Sequence, residues 1–284
     1  MGYGTIARRV GVGKGEVVNW LTGRYDPLRR HVLPIMGPHL AYGIGAWIGD
    51  GTLVLYKKRW KHYTRLIVKD VDFAQAFAES LAISLGRQNP LHLSRRKDGR
   101  YSVYANNRML YDFLLASRAC PDLLKPIIGS YPGYFLGGFW DAEGSIGLSK
   151  SILSIHAVNT RKEIVSLVLF TLDRLNIHYT LHSRMKERLV KFSKGGKAYH
   201  RRHPLLYKIY VRSCCHLKFQ QNVIMKIGRK YERLTIAREG MVKKRCTTAS
   251  GPQLGWKLVG PAGFEPATSL LPFTVALAGP SRVS

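Results

Sequence analysis

Ala41-Tyr42-Gly43-Ile44-Gly45-Ala46-Trp47-Ile48-Gly49-Asp50-Gly51 and Tyr134-Phe135-Leu136-Gly137-Gly138-Phe139-Trp140-Asp141-Ala142-Glu143-Gly144 are two copies of one pattern. Each is an apolar run of helix length, rich in small residues, that stops at a carboxylate followed by glycine. Internal repetition sets architecture before any finer reading. Asp50 and Glu143 lie 93 positions apart, too far for a short-period solenoid and suited to two similar subdomains in one chain.

Gly45 and Gly49 are four residues apart, so they share one face of a helix; Gly138 and Ala142 hold the same places in the second copy. A face without side chains admits another backbone at close range, as in small-xxx-small packing. Each glycine costs up to about 1 kcal/mol of helix propensity, which close packing must offset. The simplest partner for each face is the other copy. Tyr42, Ile44, Trp47, Ile48, Leu136, Phe139 and Trp140 then bury the remaining sides. Asp50 and Glu143 would emerge together at two helix C-termini, where partial negative charge already disfavours a carboxylate. A divalent cation neutralises such a pair, and hard cations such as Mg²⁺ take carboxylate and carbonyl oxygens. The carbonyls of Gly49 and Ala142 are the further candidate ligands. Gly51 and Gly144 suit the left-handed turn that ends a helix. Asp141 has no acidic counterpart, since Ile48 takes its place; it reads as a helix-end group or a support for the acid pair.

The chain resembles the LAGLIDADG homing endonuclease family in its single-chain, two-motif form. The signature falls on residues 43 to 51 and 136 to 144 and the resemblance extends over residues 37 to 240. It implies an α+β fold of two pseudo-symmetric αββαββα repeats whose antiparallel sheets form a DNA-binding saddle. It places the metal-binding acid on Asp50 and Glu143. It further implies staggered double-strand cleavage near the centre of a long site, and homing of an intron or intein. No splicing-domain residues are evident, so an intron-encoded or freestanding enzyme is the better reading.

Composition agrees with a polyanionic partner. Lys and Arg number 45 against 17 Asp and Glu, a net charge of +28. The bases run through segments that also carry core residues, the mark of a folded nucleic-acid surface and not of a tail. No long apolar span or lysine-rich amphipathic helix supports a membrane role. Cys120, Cys214, Cys215 and Cys246 show no zinc-ligand spacing and no disulfide framework, which suits a reducing interior. The N-terminus is polar and basic, without a signal-peptide pattern. An intracellular location follows, cytoplasmic or organellar.

After the first motif, Thr52 to Lys61 reads as a strand, and Thr64 to Lys69 alternates, with Arg65, Ile67 and Lys69 on one face. Val71 to Leu85 reads helical; Leu91 to Lys97, Asp98-Gly99 and Tyr101 to Ala105 read as a hairpin; Met109 to Ala116 reads helical. The second half repeats the order, with strands at Ser145–Leu148, Ile152–Val158, His178–Leu189 and Leu205–Arg212, and helices at Lys162–Leu175 and His216–Ile227. Each sheet has one face on helices and one open. On the open faces Arg65 and Lys69, and Lys208, Tyr210 and Arg212, form rows. Loops add Lys57, Lys58, Arg59, Lys61, Arg95, Arg96, Arg201 and Arg202. Such a surface holds phosphates and reads bases in a major groove. Lys69 and Lys208 are also candidate partners of the scissile phosphate, while the histidines, His156 among them, carry no site in this reading.

Thr5 to Leu21 resembles a helix-turn-helix with Gly11 at the turn and Val17 and Trp20 facing inward, an arrangement that can place a helix in the major groove. Residues 241 to 284 lose periodicity, and Gly263-Phe264-Glu265-Pro266-Ala267-Thr268 resembles a reading frame crossing the T-arm of a transfer-RNA gene; the segment is expected to be a disordered tail. The domain reading is thus 1–34, helix-turn-helix-like; 35–128, first repeat; 129–240, second repeat; 241–284, tail. The functional expectation is a monomeric, Mg²⁺- or Mn²⁺-dependent DNA endonuclease. The alternatives are an intron maturase that binds RNA on the same fold, and a helix-turn-helix regulator without nuclease activity.

Overall fold

The structure is a computed structural model and describes residues 2–22, 32–56, 61–149, 152–185, 189–191, 198–200 and 205–240. Two short helices come first, α1 (Tyr3–Val10) and α2 (Lys14–Leu21). The first repeat follows as α3 (Pro38–Asp50), β1 (Gly51–Tyr56), β2 (Lys61–Val68), α4 (Val71–Ser84), β3 (Leu93–Arg95), β4 (Tyr101–Asn106) and α5 (Arg108–Ala119). A short helix α6 (Lys125–Ser130) leads to the second repeat: α7 (Pro132–Glu143), β5 (Gly144–Ser149), β6 (Ile152–Asn159), α8 (Lys162–Arg174), β7 (Tyr179–Met185), the hairpin β8 (Leu189–Lys191) and β9 (Ala198–His200), and β10 (Leu205–Val211). Two helices close it, α9 (His216–Asn222) and α10 (Gly228–Gly240). This is the α+β architecture expected, with two four-stranded antiparallel sheets ordered β1-β2-β4-β3 and β5-β6-β10-β7. The expected DNA contacts Lys57, Lys58, Arg59, Arg201 and Arg202, and the expected tail 241–284, lie outside the described residues.

The two motif helices pack against each other through their small-residue faces. A Cβ on Gly45 would run into the carbonyl oxygen of Phe135 and come within 2.8 Å of the Phe139 nitrogen. A Cβ on Gly138 would run into the carbonyl oxygen of Tyr42 and come within 2.8 Å of the Ala46 nitrogen. The approach is reciprocal, as a pseudo-twofold requires. Around it Tyr42, Ile44, Phe135, Phe139 and Trp140 are buried in one continuous core. Full burial of such side chains contributes about 1.5–3 kcal/mol each, more than the helix propensity the glycines forgo.

The helix-ending glycines act differently from expectation. Gly51 (φ −80°, ψ 156°) and Gly144 (φ −80°, ψ 148°) are extended and not left-handed. Here the reason for glycine is steric: a Cβ would sit 2.5 Å from Trp47 Cα at the first and 2.5 Å from the Trp140 oxygen at the second. The chain can therefore pass from helix into strand without a connecting loop.

The second departure is at the C-terminal end. His216–Ile227 is expected as one helix; it stops at Asn222, and residues 223–227 form an irregular strap before α10. The strap crosses α7, and α7 supplies a polar partner a helix would have supplied internally. Ile224 N–H donates to the Gly133 oxygen at 3.1 Å, and a Cβ on Gly133 or Gly137 would run into the carbonyl oxygens of Asn222 or Ile224. So α7 has two bare faces, one for α3 and one for this strap.

Gly45→Ala is expected to lower the free energy of unfolding by about 1–3 kcal/mol despite its better helix propensity, because the helices must separate. Gly15→Ala, on α2 where the new Cβ meets nothing within 4 Å, is expected to be neutral or to gain up to about 1 kcal/mol. Urea unfolding of the two variants checks the contrast.

Candidate active site and nucleic-acid interface

Because α3 and α7 touch along their last turns, Asp50 and Glu143 come together. A Cβ on Gly49 would run into Ala142 Cβ and come within 3.0 Å of Glu143 Cγ. Burial, and then the charge of Asp50, push the Glu143 carboxyl from 4.5 up to about 7. Asp50 keeps accessible surface at the floor of a cleft, yet the surrounding protein desolvates it enough to raise its pKa as well, with Lys230 opposing. Asn159, at the end of β6, donates to Glu143 Oε1 at 3.4 Å. Two carboxylates pressed together at helix ends are the donor set that suits a hard divalent cation, so the residues fit the expected metal.

Asp50 lines a cleft of about 390 Å³ together with Lys69, Asp70, Arg100, Asp141, Arg229, Lys230 and Arg233; Glu143 is not among its lining residues. Lys69 therefore shares a cleft with Asp50. Lys208 is placed elsewhere, mid-strand on β10, with its ammonium 4.6 Å from the Tyr210 ring centroid.

Sequence reasoning missed Lys230. It is only 6% exposed, and its three N–H bonds go to the carbonyls of Trp140 (2.7 Å), Asp141 (2.8 Å) and Gly144 (2.8 Å). The ammonium thus caps the C-terminus of α7, where carbonyls lack helical partners. It leaves the Ala142 oxygen, the candidate metal ligand, outside its set. Burial pulls the Lys230 pKa down, and Asp141 opposes that.

Asp141 explains how Lys230 gets there. It is buried and accepts from Lys226 N–H at 2.7 Å, Ile227 N–H at 3.4 Å and Tyr42 Oη–H at 2.7 Å. Burial raises its pKa, while these donors and Lys230 work against it. Every partner is a donor, the pattern of an ionised carboxylate. Gly133, Gly137 and Asp141 form one stripe of α7, and the matching positions of α3 are Leu40, Ile44 and Ile48. The missing acid in copy one is thus the place where no strap docks. Arg229 ties the same helix to the first repeat, pairing with Asp70 at 2.9 and 3.1 Å.

The open faces form as expected. Thr64, Leu66 and Val68 are buried, and Arg65 and Ile67 project the other way. Arg65 lies beside Tyr104 and Thr52 in register, and its buried Nε has no hydrogen-bond partner among the described residues. Arg95 does not join this row. It pairs in register with Tyr101, which faces the helix side with Val68, and lies exposed at the end of the edge strand. Arg96 faces Asp98 at 3.5 Å. On the second sheet Tyr210 sits between His156 and His182, with ring centroids 5.3 and 5.5 Å apart, so these histidines belong to the open face that the sequence reading left without them. Burial and the neighbouring Lys208 hold His156 below its ordinary pKa. Arg212 is exposed just beyond β10, and Lys61 is half-buried on β2. In the N-terminal pair Gly11 takes φ +70° between α1 and α2, Val17 is buried and Trp20 half-buried. Among the described residues no helix is long and apolar enough to cross a membrane.

Residues 130–223 match the family model described as a LAGLIDADG-like domain. The chain is 28% identical over 242 residues to the uncharacterized protein MJ0398 of Methanocaldococcus jannaschii, covering 84% of this chain and 86% of that protein. Among solved structures it is similar to the homing endonuclease I-DmoI in complex with DNA and Mn, at 19% identity and a TM-score of 0.48, over 66% of this chain and 97% of that one. It is also similar to full-length DUF199/WhiA from Thermatoga maritima, at 14% identity and a TM-score of 0.44, over 75% and 65% of the two chains.

Two outcomes test the site. Lys230→Met removes three hydrogen bonds at a buried site and should cost about 1–3 kcal/mol of stability in urea unfolding, whereas Lys226→Met, exposed and bonded through its backbone, should change little. For pH, a carboxyl whose folded pKa lies above its unfolded value binds its proton more tightly in the fold. It therefore subtracts stability as pH rises from 4.5 to about 7. In chelator, Glu143→Gln should melt higher than wild type at pH 8 and converge with it at pH 4, read by thermal unfolding across pH.

Proposed function

We propose that this chain is a site-specific DNA endonuclease of the LAGLIDADG type that uses divalent cations. The observation that carries the reading is the contact of α3 with α7, which sets the charge of Asp50 against Glu143. A lone exposed acid would need no metal; two desolvated acids at helix C-termini are relieved by one.

Asp50 and Glu143, with the Gly49 and Ala142 carbonyls, would hold Mg²⁺ or Mn²⁺. The bound cation would supply Lewis-acid polarisation of the scissile phosphate and a lowered pKa for attacking water. The chain's own residues do the positioning. Lys69 presents a cation from the cleft wall toward the phosphate. Arg65, Lys208, Tyr210 and Arg212 hold the duplex along the open sheets. The net charge of +28 strengthens association with the polyanion and makes it salt-sensitive. The intron-encoded setting, the monomeric state and staggered cuts near the centre of a long site belong to the same proposal. The helix-turn-helix geometry of α1 and α2 keeps a regulator reading in play, and an RNA-binding maturase would use the same basic sheets.

The deciding experiment is cleavage of a plasmid that carries the intronless host site. Wild type with Mg²⁺ should cut it, and Asp50→Asn and Glu143→Gln should each lose at least about 100-fold, since even supporting partners of a metal site are worth 10–100-fold. Binding of the same DNA should persist in both variants. Tight intron-RNA binding without wild-type cleavage would establish the maturase instead, and duplex binding without cleavage the regulator.

A further inference from the structure

The second repeat carries a cluster of soft ligands outside the cleft. His178 precedes β7, and Cys214 and Cys215 lie in the 3₁₀ turn Ser213–Cys215 that follows β10. One ring nitrogen and two sulfurs fall within 4.8 Å of one another. The spacing that a sequence scan seeks, a CxxC or a CxH, is absent, which is why the cluster is invisible before folding. The register of β10 with β7, Val211 opposite Tyr179, brings the two ends together.

We propose that His178, Cys214 and Cys215 form a binding site for a thiophilic metal ion, Zn²⁺ being the physiological candidate. The two sulfurs are 3.8 Å apart. Metal–sulfur bonds of about 2.3 Å in a tetrahedron span an edge of about 3.8 Å, so the sulfurs already hold that separation. A ring nitrogen of His178, within 4.8 Å of both sulfurs, would take the third position, and the fourth is left to water. Supporting bonds are in place. The His178 backbone N–H donates to Cys215 Sγ at 3.3 Å, and Arg212 N–H donates to the His178 oxygen at 2.9 Å. Asp173 bonds Tyr179 and lies close enough to His178 for their charges to interact. Binding releases the two thiol protons. Soft sulfur and imidazole donors select a different ion from the oxygen donors of Asp50 and Glu143, so the two sites fill independently. The ion would clip edge strand β7 to the exit of β10, the strand that carries Lys208 and Tyr210.

The full-length chain, reduced and stripped with chelator, is titrated with Co²⁺ in excess Mg²⁺. One equivalent should bind with the near-ultraviolet absorption of a thiolate-to-cobalt bond, and Zn²⁺ should displace it. Cys214→Ser and Cys215→Ser should each abolish that absorption, and Cys120→Ser should leave it. Far-ultraviolet circular dichroism confirms that the variants fold; His178→Ala, at an exposed position, is the second variant should a cysteine change perturb the fold, and it too should lose the band. Absence of the band, its persistence in both cysteine variants, or closure of a Cys214–Cys215 disulfide that excludes Co²⁺ under reductant would overturn the site. None of these outcomes depends on DNA cleavage.

Discussion

The backbone-to-backbone approach of α3 and α7 governs the rest of the molecule. It is possible because Gly45 and Gly138 present no Cβ where the partner's carbonyls lie. Helices so close share their last turn as well, and that puts Asp50 beside Glu143. Core, pseudo-symmetry and acid pair are then one geometric fact seen at three places along the same contact. The glycines are paid for in helix propensity and offset by the aromatic and aliphatic side chains buried around them.

The two repeats are alike in order and unlike in duty. The stripe Leu40, Ile44 and Ile48 of α3 is apolar; the equivalent stripe Gly133, Gly137 and Asp141 of α7 accepts a second backbone. Through it the strap residues 223–227 reach the centre, and α10 delivers Lys230 to the end of α7. The acid centre thus has a basic neighbour supplied from the far C-terminal part of the second repeat. That cation meets helix-end carbonyls rather than the carboxylate oxygens, which keeps the acids' own oxygens available.

Electrostatics divides the surface into two tasks. At the centre, two partly desolvated acids stand against one another and have raised pKa values, a condition that a cation relieves. On the sheets, Arg65 and Lys208 face outward among Tyr104, Tyr210 and two histidines, with Arg212 exposed just beyond β10, so charge and flat rings alternate on the open faces. Edge residues such as Arg96 have acidic neighbours and contribute less to that field.

Much of this was legible in the sequence. The doubled motif located α3, α7 and both acids, because helical spacing alone puts the small residues on one face. Alternation along 64–69 assigned the faces of β2 correctly, since a strand has period two. Three features were not legible. Glycine after each acid looked like a left-handed cap, and only the direct entry into β1 and β5 revealed a steric need for it. The break in 216–227 depended on hydrogen bonds to α7, which no local pattern encodes. Lys230 and the His178–Cys214–Cys215 cluster join residues distant in the chain, and strand register and strap docking alone decide such meetings. The sequence by itself determined which helices touch and where their acids fall, because that information is periodic and local. Tertiary structure alone decided what surrounds those acids, because it depends on which distant backbone crosses the face left bare.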